Sequence, residues 1–267
     1  MYLKEWLEIN KNFFSIRDIN FLIKILLNGS HQFYNNDFYL TEDKLKILER
    51  VKRLYKKGKP LAYILGVEEF YGNLFKVNRH TLIPRPCTEF LVEKSIEIIK
   101  KYKLNIILDL CCGCGNIIIS IANELKDGFF VASDISFKAI KVAKKNVSRY
   151  GLNIKLVVAD LFKSFKPNSF DLIVSNPPYV EDEYLENNRE LNVEPKIALS
   201  GGKDGLYFIK KIISFGLNYL KEKGFLLMEI GAGQKEKIRN IKELNFYSKV
   251  SFLKDYNKLD RILLLRK

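Results

Sequence analysis

Apolar runs and helix-like segments alternate after residue 85, and this alternation limits the fold more than any other feature of the sequence. Five short apolar runs are typical of buried strands, and helical patterns connect them. Because parallel strands need a crossover between them, the alternation predicts a parallel sheet covered by helices. The predicted strands are 106–110, 129–133, 154–159, 171–175 and 225–230, and the predicted helices are 88–102, 116–125, 137–150 and 205–220.

The last part of the chain follows a different pattern. Strand-like segments at 249–253 and 262–265 are separated by a polar loop that is too short for a helical crossover, so they should pair antiparallel. The predicted fold class is therefore α/β, with a mostly parallel seven-stranded sheet closed by an antiparallel C-terminal hairpin. This arrangement resembles the Rossmann-like fold of class I methyltransferases that use S-adenosylmethionine.

The pattern changes twice before residue 85. Apolar residues recur at helical spacing in two stretches, the first of which ends at Leu27, and they predict a small helical bundle over residues 1–66. Aromatic, strand-like residues then predict a β-hairpin linker over 67–84. Residues 85–267 form the predicted catalytic domain, and we expect the helical bundle to recognise the substrate.

The segment Asn176, Pro177, Pro178 and Tyr179 directly follows the fourth predicted strand. Ligands of open α/β sheets bind outside the carboxyl ends of the strands, and proline has no backbone N–H. The segment should therefore leave the sheet with unpaired carbonyl oxygens, which could hold an NH₂ group together with the Asn176 amide. A simple turn that ends the strand is the alternative that these residues leave open.

Two glycines, Gly113 and Gly115, lie in the loop between the first predicted strand and its helix, where they allow a close approach to a ligand. A dinucleotide-binding loop would need a third glycine where Ile118 stands. A phosphate-binding loop would need Lys and Ser or Thr, which are missing at the required positions. The loop therefore favours a cofactor without phosphates.

Carboxylates stand near the ends of three predicted strands, at Asp109, Asp134 and Asp160. Asp134 could accept both hydrogen bonds of a ribose diol, and Asp160 could accept one from an adenine amino group. Each aspartate alone could equally cap a helix or a turn. Their shared position at the strand ends favours a single cofactor site.

Composition narrows the classes of protein. Of the 267 residues, 47% are hydrophobic and 28% are charged, which is typical of a globular protein. No apolar run approaches the roughly 18 residues needed to span a bilayer, so we expect no membrane contact and a cytoplasmic location. The net charge of +14 would suit RNA, but the lysines are scattered, and we expect no stable nucleic-acid partner.

Three of the four cysteines, Cys111, Cys112 and Cys114, lie in the glycine loop. Cys111 and Cys114 have the spacing of metal ligands, yet no second pair exists, and only His31 and His80 could complete a site. We therefore expect no metal and interpret these cysteines as small packing residues.

The sequence resembles the release-factor glutamine methyltransferases over nearly its whole length. The most discriminating segment is Thr-Leu-Ile-Pro-Arg-Pro-Cys-Thr-Glu at 81–89, and the others are 60–66, the glycine loop, 176–179, 194–205 and 229–231. The resemblance implies methyl transfer from S-adenosylmethionine to the side-chain amide nitrogen of the glutamine in the Gly-Gly-Gln motif of class I peptide chain release factors. Loss of the methyl group would convert the cofactor into S-adenosylhomocysteine.

The strand-end pattern and the resemblance together imply three groups of site residues. Two residues depart from the family pattern, because Cys111 replaces the usual first glycine of the loop and Cys87 replaces a common Asp. The expected catalytic residues are Asn176, Pro177 and Tyr179; the expected cofactor residues are Asp109, Cys111, Gly113, Gly115, Asp134, Asp160 and Asn176; the expected substrate residues are Asn176, Pro177, Pro178, Tyr179, Pro84, Arg85, Thr88 and Glu89.

Several alternatives stay open at this point. The residues at 84–89 could form an ordinary capped start of a helix. An amino-group methyltransferase could act on DNA adenine, on ribosomal RNA or on a ribosomal-protein glutamine. The chain could also be a binding module whose cofactor site has degenerated, although Asp134, Asp160 and Asn176 argue against that.

Overall fold

The computed structural model describes residues 1–26 and 38–267. The chain forms two compact units, Met1–Gly66 and Val67–Lys267. Leu27 and His31, which entered the predictions above, lie outside the described residues. No helix within the described ranges has the length and apolar character needed to cross a bilayer.

The first unit is helical. Apolar residues recur every three to four positions along its helices, so each helix turns one face inward. Trp6, Leu22, Leu48 and Val51 meet in one buried core. The described helices of this unit are α1 (Leu3–Asn10), α2 (Ile16–Leu26), α3 (Glu42–Lys56) and α4 (Leu61–Leu65).

The second unit begins with an antiparallel hairpin of β1 (Val67–Phe70) and β2 (Asn73–Lys76). Both residues of its turn have positive φ, as tight hairpin turns require. The Tyr71 N–H donates to Glu89 Oε1 at 2.8 Å. Asn146 exchanges two hydrogen bonds with the backbone of β2, at 2.7 and 3.0 Å. These bonds fasten the hairpin to the rest of the same unit.

A seven-stranded sheet forms the centre of the second unit, and helices alternate with most of its strands along the sequence. The strands are β3 (Ile106–Leu110), β4 (Phe129–Asp134), β5 (Ile154–Val158), β6 (Phe170–Ser175), β7 (Leu220–Glu229), β8 (Lys249–Lys254) and β9 (Asp260–Arg266). The longer helices are α5 (Glu89–Tyr102), α6 (Asn116–Leu125), α7 (Phe137–Arg149) and α9 (Tyr207–Tyr219), and the shorter ones are α8 (Asp182–Asn187) and α10 (Lys235–Arg239).

The strand order across the sheet is β5-β4-β3-β6-β7-β9-β8. The strands β3 to β7 run parallel, and the C-terminal hairpin of β8 and β9 joins β7 antiparallel, which confirms the predicted fold class. The strand order reverses between β3 and β6. The chain first adds β4 and β5 on one side of β3 and then returns to add β6 on its other side. A ligand crevice opens at such a switch point, outside the carboxyl ends of the strands.

The predicted strands and helices of the second unit begin and end within two residues of the observed ones, except at the start of β7. β7 begins at Leu220 rather than at residue 225, because Leu220 already pairs with Phe170 before an irregularity shifts the register. The helices α8 and α10 were not predicted, since five or six residues contain too few positions for a helical pattern to show. Ile173 and Leu226 are fully buried at the centre of the sheet.

Candidate active site

A cleft of about 1000 Å³, part of it open to solvent, is lined by residues at the carboxyl ends of β3, β4 and β6. The predicted site residues that line the cleft are Pro84, Arg85, Thr88, Cys111, Gly113, Asp134, Asp160, Asn176 and Pro178, whereas Asp109, Gly115, Pro177, Tyr179 and Glu89 lie outside its lining.

The glycine loop folds back on the end of β4. The Cys112 N–H donates to the Ser133 carbonyl at 2.9 Å, and the Gly115 N–H donates to the Cys112 carbonyl at 2.8 Å. Gly113 and Gly115 both have positive φ, which glycine adopts at no steric cost. A Cβ on Gly113 would meet no atom within 4 Å, so this part of the loop faces open space.

Asp134 is held in place by two backbone N–H groups. Gly113 N donates to Oδ2 at 2.9 Å, and Ser136 N donates to Oδ1 at 2.8 Å. Burial raises the pKa of Asp134, and these two hydrogen bonds oppose the increase. Each oxygen keeps a further lone pair, so the fixed carboxylate can accept two hydrogen bonds from a diol in the cleft.

The other two strand-end aspartates have different surroundings. Asp109 is fully buried, and its Oδ2 accepts a hydrogen bond from the Ile118 N–H at 3.3 Å. Its Oδ1 has no partner within the described residues, and burial raises its pKa well above the usual range. Asp160 lines the cleft and pairs with Lys163 at 2.5 Å. Asp109 therefore fastens α6 to β3, while Asp160 is accessible to a ligand.

Asn176 presents an unused acceptor. Its Nδ2 donates to the Thr88 hydroxyl oxygen at 3.2 Å. Its Oδ1 is buried and has no hydrogen-bond partner in the part of the chain that the structure describes. Leaving a buried acceptor unsatisfied costs about 1–3 kcal/mol, so such an atom is expected at a place where a ligand completes it.

Tyr179 packs into the protein behind the cleft. Its hydroxyl donates to Glu229 Oε1 at 2.9 Å, and Gln234 Nε2 donates to its carbonyl at 3.0 Å. Burial and the negative charge of Glu229 raise the pKa of Tyr179 well above its usual range, so the phenol keeps its proton and donates. Glu229 is a buried carboxylate at the end of β7. It was not among the predicted site residues, although Glu-Ile-Gly at 229–231 is one of the family segments.

Glu194 connects two segments that line the cleft. Its Oε2 accepts a hydrogen bond from the Ile83 N–H at 2.9 Å, and its Oε1 forms an ion pair with Arg85. Arg85 belongs to the stretch before α5, whereas Ile197 and Ala198 beyond Glu194 line the cleft from the other segment. No local pattern in the sequence indicates this role of Glu194, because the two segments are more than a hundred residues apart.

Apolar residues complete the cleft and were also missed. Ile135 directly follows Asp134, Leu161 directly follows Asp160, and Phe208 comes from α9. Only the position next to a strand-end aspartate could have indicated the first two. Their side chains offer apolar surface beside the carboxylates.

The cysteines are all free thiols. Burial raises the pKa of Cys111, of Cys112 and of Cys114, the last to about 12, so these thiols stay protonated and are weak nucleophiles and ligands. No group of three or more His, Cys, Asp or Glu side chains within residues 1–26 and 38–267 is arranged to hold a metal ion. Cys87 lies with its Sγ 3.9 Å from Glu229 Oε1.

We expect Glu194→Ala to lower the free energy of unfolding by about 2 kcal/mol, because it leaves the buried Ile83 N–H without an acceptor. The ion pair between Glu194 and Arg85 contributes less to the free energy of unfolding, because the Arg85 side chain is 38% exposed. Urea denaturation measures the change. Glu236→Ala, which removes an exposed pair with Arg239, is the matched control and should change little. Equal stability of Glu194→Ala and the wild type would contradict the structural role of Glu194.

Comparison with known proteins supports the fold described above and identifies one family. Residues 86–193 match the family described as "Methyltransferase small domain". A release factor glutamine methyltransferase of Thermodesulfovibrio yellowstonii is 36% identical over 268 residues, which cover 97% of this chain and 95% of the relative. One of Clostridium acetobutylicum is 35% identical, with 96% of this chain and 93% of the relative covered. One of Fusobacterium nucleatum is 43% identical over 85% of this chain, and this chain spans 65% of its length.

Solved structures support the fold alone. A methyltransferase from Pyrococcus furiosus superposes with a TM-score of 0.55 at 17% identity, covering 85% of this chain and 99% of the other. A Thermus thermophilus 16S rRNA N2 G1207 methyltransferase superposes with a TM-score of 0.51 at 15% identity, covering 75% of this chain and 49% of the other.

Proposed function

This chain belongs to the release factor glutamine methyltransferase family, and we therefore propose that it transfers a methyl group from S-adenosylmethionine to the side-chain amide nitrogen of a glutamine in class I peptide chain release factors. One observation carries the proposal for the site. Asn176 Oδ1 is a buried acceptor without a partner among the described residues, at the end of a strand where an NH₂ group could meet a bound cofactor.

The residues around the cleft fit this cofactor. The fixed carboxylate of Asp134 suits the ribose diol, Asp160 suits the adenine amino group, and Ile135 and Leu161 offer apolar surface to the ring. Gly113 leaves open space where a side chain would stand. When bound, S-adenosylmethionine supplies a methyl group on a positively charged sulfur, which is the electrophile.

The protein contributes chiefly by positioning the acceptor. An amide nitrogen is a weak nucleophile because its lone pair is delocalised into the carbonyl group. Asn176 Oδ1 would accept one amide N–H, and the Pro177 carbonyl, which accepts no backbone hydrogen bond from a described residue, would accept the other. These fixed oxygens would orient the nitrogen and stabilise the positive charge that develops on it as the C–N bond forms and the methyl–sulfur bond breaks, after which one amide proton leaves to solvent.

Tyr179 has a supporting part in this proposal. Its phenol is held by Glu229, and its backbone carbonyl is held by Gln234. Gly201 and Gly205 pack against the same backbone, because a Cβ on either glycine would lie within 2.7 Å of a Tyr179 backbone atom. These contacts hold the backbone that follows Asn176 and Pro177, so Tyr179 would support the two acceptor oxygens from behind the cleft.

Recognition of the release factor is a separate task from holding the cofactor. We assign it to the N-terminal helical unit, residues 1–66, and to Pro84 and Arg85, which line the cleft. Modification of release factors would place the protein in the cytoplasm, where it would act on translation termination without a stable nucleic-acid partner.

The test uses methyl-labelled S-adenosylmethionine and three acceptors: a class I release factor, the same factor with its Gly-Gly-Gln glutamine replaced by alanine, and duplex DNA. We expect label on the first acceptor alone. Label on DNA and none on the release factor would overturn the proposal, and label on both release factors would show that a different residue is the acceptor.

A further inference from the structure

The amide group of Asn176 has two chemically different ends, and only one orientation suits an NH₂ substrate. With Oδ1 towards the substrate, Asn176 accepts a hydrogen bond, whereas with Nδ2 in that place two donors would face each other. Rotation by 180° about the last side-chain bond exchanges the two ends without changing the shape of the side chain. Some neighbouring group must therefore select the orientation.

Thr88 is the neighbour that makes this distinction. Its hydroxyl oxygen lies 3.2 Å from Asn176 Nδ2 and accepts the hydrogen bond. Thr88 ends the 3-10 turn Pro86–Thr88 before α5, and the residue is only 2% exposed. A side chain buried to this degree, with its oxygen occupied by Asn176, has little capacity left for a substrate.

Glu229 offers an acceptor for the proton of the Thr88 hydroxyl. A hydroxyl can donate as well as accept, so Thr88 would select the Asn176 orientation only if its own proton points elsewhere. Glu229 is fully buried, its Oε2 has no hydrogen-bond partner among the described residues, and the Thr88 side chain lowers the pKa of Glu229 against the increase caused by burial. Because a carboxylate accepts only, a Thr88 proton directed to Glu229 Oε2 would leave the Thr88 lone pair for Asn176.

We propose that Thr88 is a positioning residue, which holds the Asn176 amide nitrogen so that the amide oxygen faces the acceptor of the methyl group. This inference rests on the proposed function, because it takes Asn176 to be the residue that holds the substrate NH₂ group. A positioning role differs from direct contact with the substrate, because loss of the Thr88 hydroxyl should then lower turnover rather than substrate affinity.

The test compares Thr88→Val, which keeps the shape and loses the acceptor, with Thr88→Ser, which keeps the hydroxyl. We expect Thr88→Val to lower kcat roughly tenfold to a hundredfold, because part of the Asn176 population would present its nitrogen to the substrate. The KM for the release factor and the Kd for S-adenosylmethionine, measured by calorimetry, should change by less than about threefold. Thr88→Ser should keep kcat within about threefold of the wild type.

Ser95→Ala is the matched control, because Ser95 lies in α5 with a buried hydroxyl that donates to the Leu91 carbonyl at 2.7 Å. Its kcat should equal that of the wild type. Three results would overturn the proposal: a Thr88→Val kcat within twofold of the wild type, a raised KM at unchanged kcat, or equal losses in Thr88→Ser and Thr88→Val.

A second readout does not depend on the substrate. The side-chain NH₂ resonances of Asn176, identified by their disappearance in Asn176→Ala, should shift and exchange faster with solvent in Thr88→Val, but not in Thr88→Ser. Unchanged resonances in Thr88→Val would overturn the proposal even if the enzyme were active. If the wild type failed to methylate a release factor while the resonances behaved as expected, the proposed function would fail and the positioning role would stand.

Discussion

Asn176→Ala should lower turnover at least about a hundredfold while the affinity for S-adenosylmethionine stays within about threefold of the wild type. The substitution removes the unpaired Oδ1, and with it an acceptor for the amide hydrogen of the substrate. Asp134 and the glycine loop are left intact. Initial rates with labelled cofactor and saturating release factor give the turnover number, and calorimetry gives the affinity.

Asn123→Ala is a suitable control, because Asn123 is an exposed residue of α6 whose side chain donates to Asn73 Oδ1 at 3.4 Å. It should leave both quantities unchanged. Turnover by Asn176→Ala at close to the normal rate would remove Asn176 from the mechanism. A loss of cofactor affinity as large as the loss of turnover would reassign Asn176 to cofactor binding.

Asp134→Ala should weaken binding of S-adenosylmethionine about a hundredfold or more. Two effects combine in this substitution. It removes the proposed acceptor for the diol, and it releases the Gly113 N–H that holds the loop against β4. Hydrogen bonds to a charged group are worth about 1.5–3 kcal/mol each, and two of them correspond to at least this change in Kd. Calorimetric titration with S-adenosylmethionine measures it.

Asp160→Ala provides the comparison within the same site. The Asp160 side chain is 41% exposed and pairs with Lys163, so solvent already competes for its hydrogen bonds. We expect its Kd to rise by about tenfold or less. If Asp134→Ala bound the cofactor as tightly as the wild type, or if Asp160→Ala had the larger effect, the assignment of the two carboxylates would be wrong.

The fold could be predicted from the sequence because its elements are regular. α6 spans the predicted residues at both ends, and β3 does the same, since a loop with two glycines separates a five-residue apolar run from a clear helical pattern. The antiparallel hairpin of β8 and β9 followed from the length of one loop. These features are local, so neighbouring residues in the chain suffice to indicate them.

The site could be predicted only in part, because its contacts are not local. The strand-end position of Asp134, Asp160 and Asn176 placed them beside the cleft, as the structure shows. The partner of Asn176, however, is 88 positions away, and the partner of Tyr179 is 50 positions away. No periodicity connects such residues, since their contact depends on how α5 and β7 pack beside β6.

Glu89 shows the same limit. It was predicted as a substrate residue from its place in the linker segment, and the structure places its carboxylate on the Tyr71 N–H of the hairpin turn, outside the lining of the cleft. Its part in substrate binding stays a prediction. Position in a motif indicates that a side chain is near the site, whereas its direction depends on the elements packed around it.

Cys111 occupies the place of a family glycine, and it does so with a φ of 61°, the left-handed conformation that glycine adopts freely. For other residues this conformation costs roughly 1–2 kcal/mol. The hydrogen bonds of Cys112 to Ser133 and of Gly113 to Asp134 therefore impose the loop geometry on a residue that resists it. The shape of the loop is therefore set by the hydrogen bonds that follow residue 111, so glycine is not required at this position for the loop to turn.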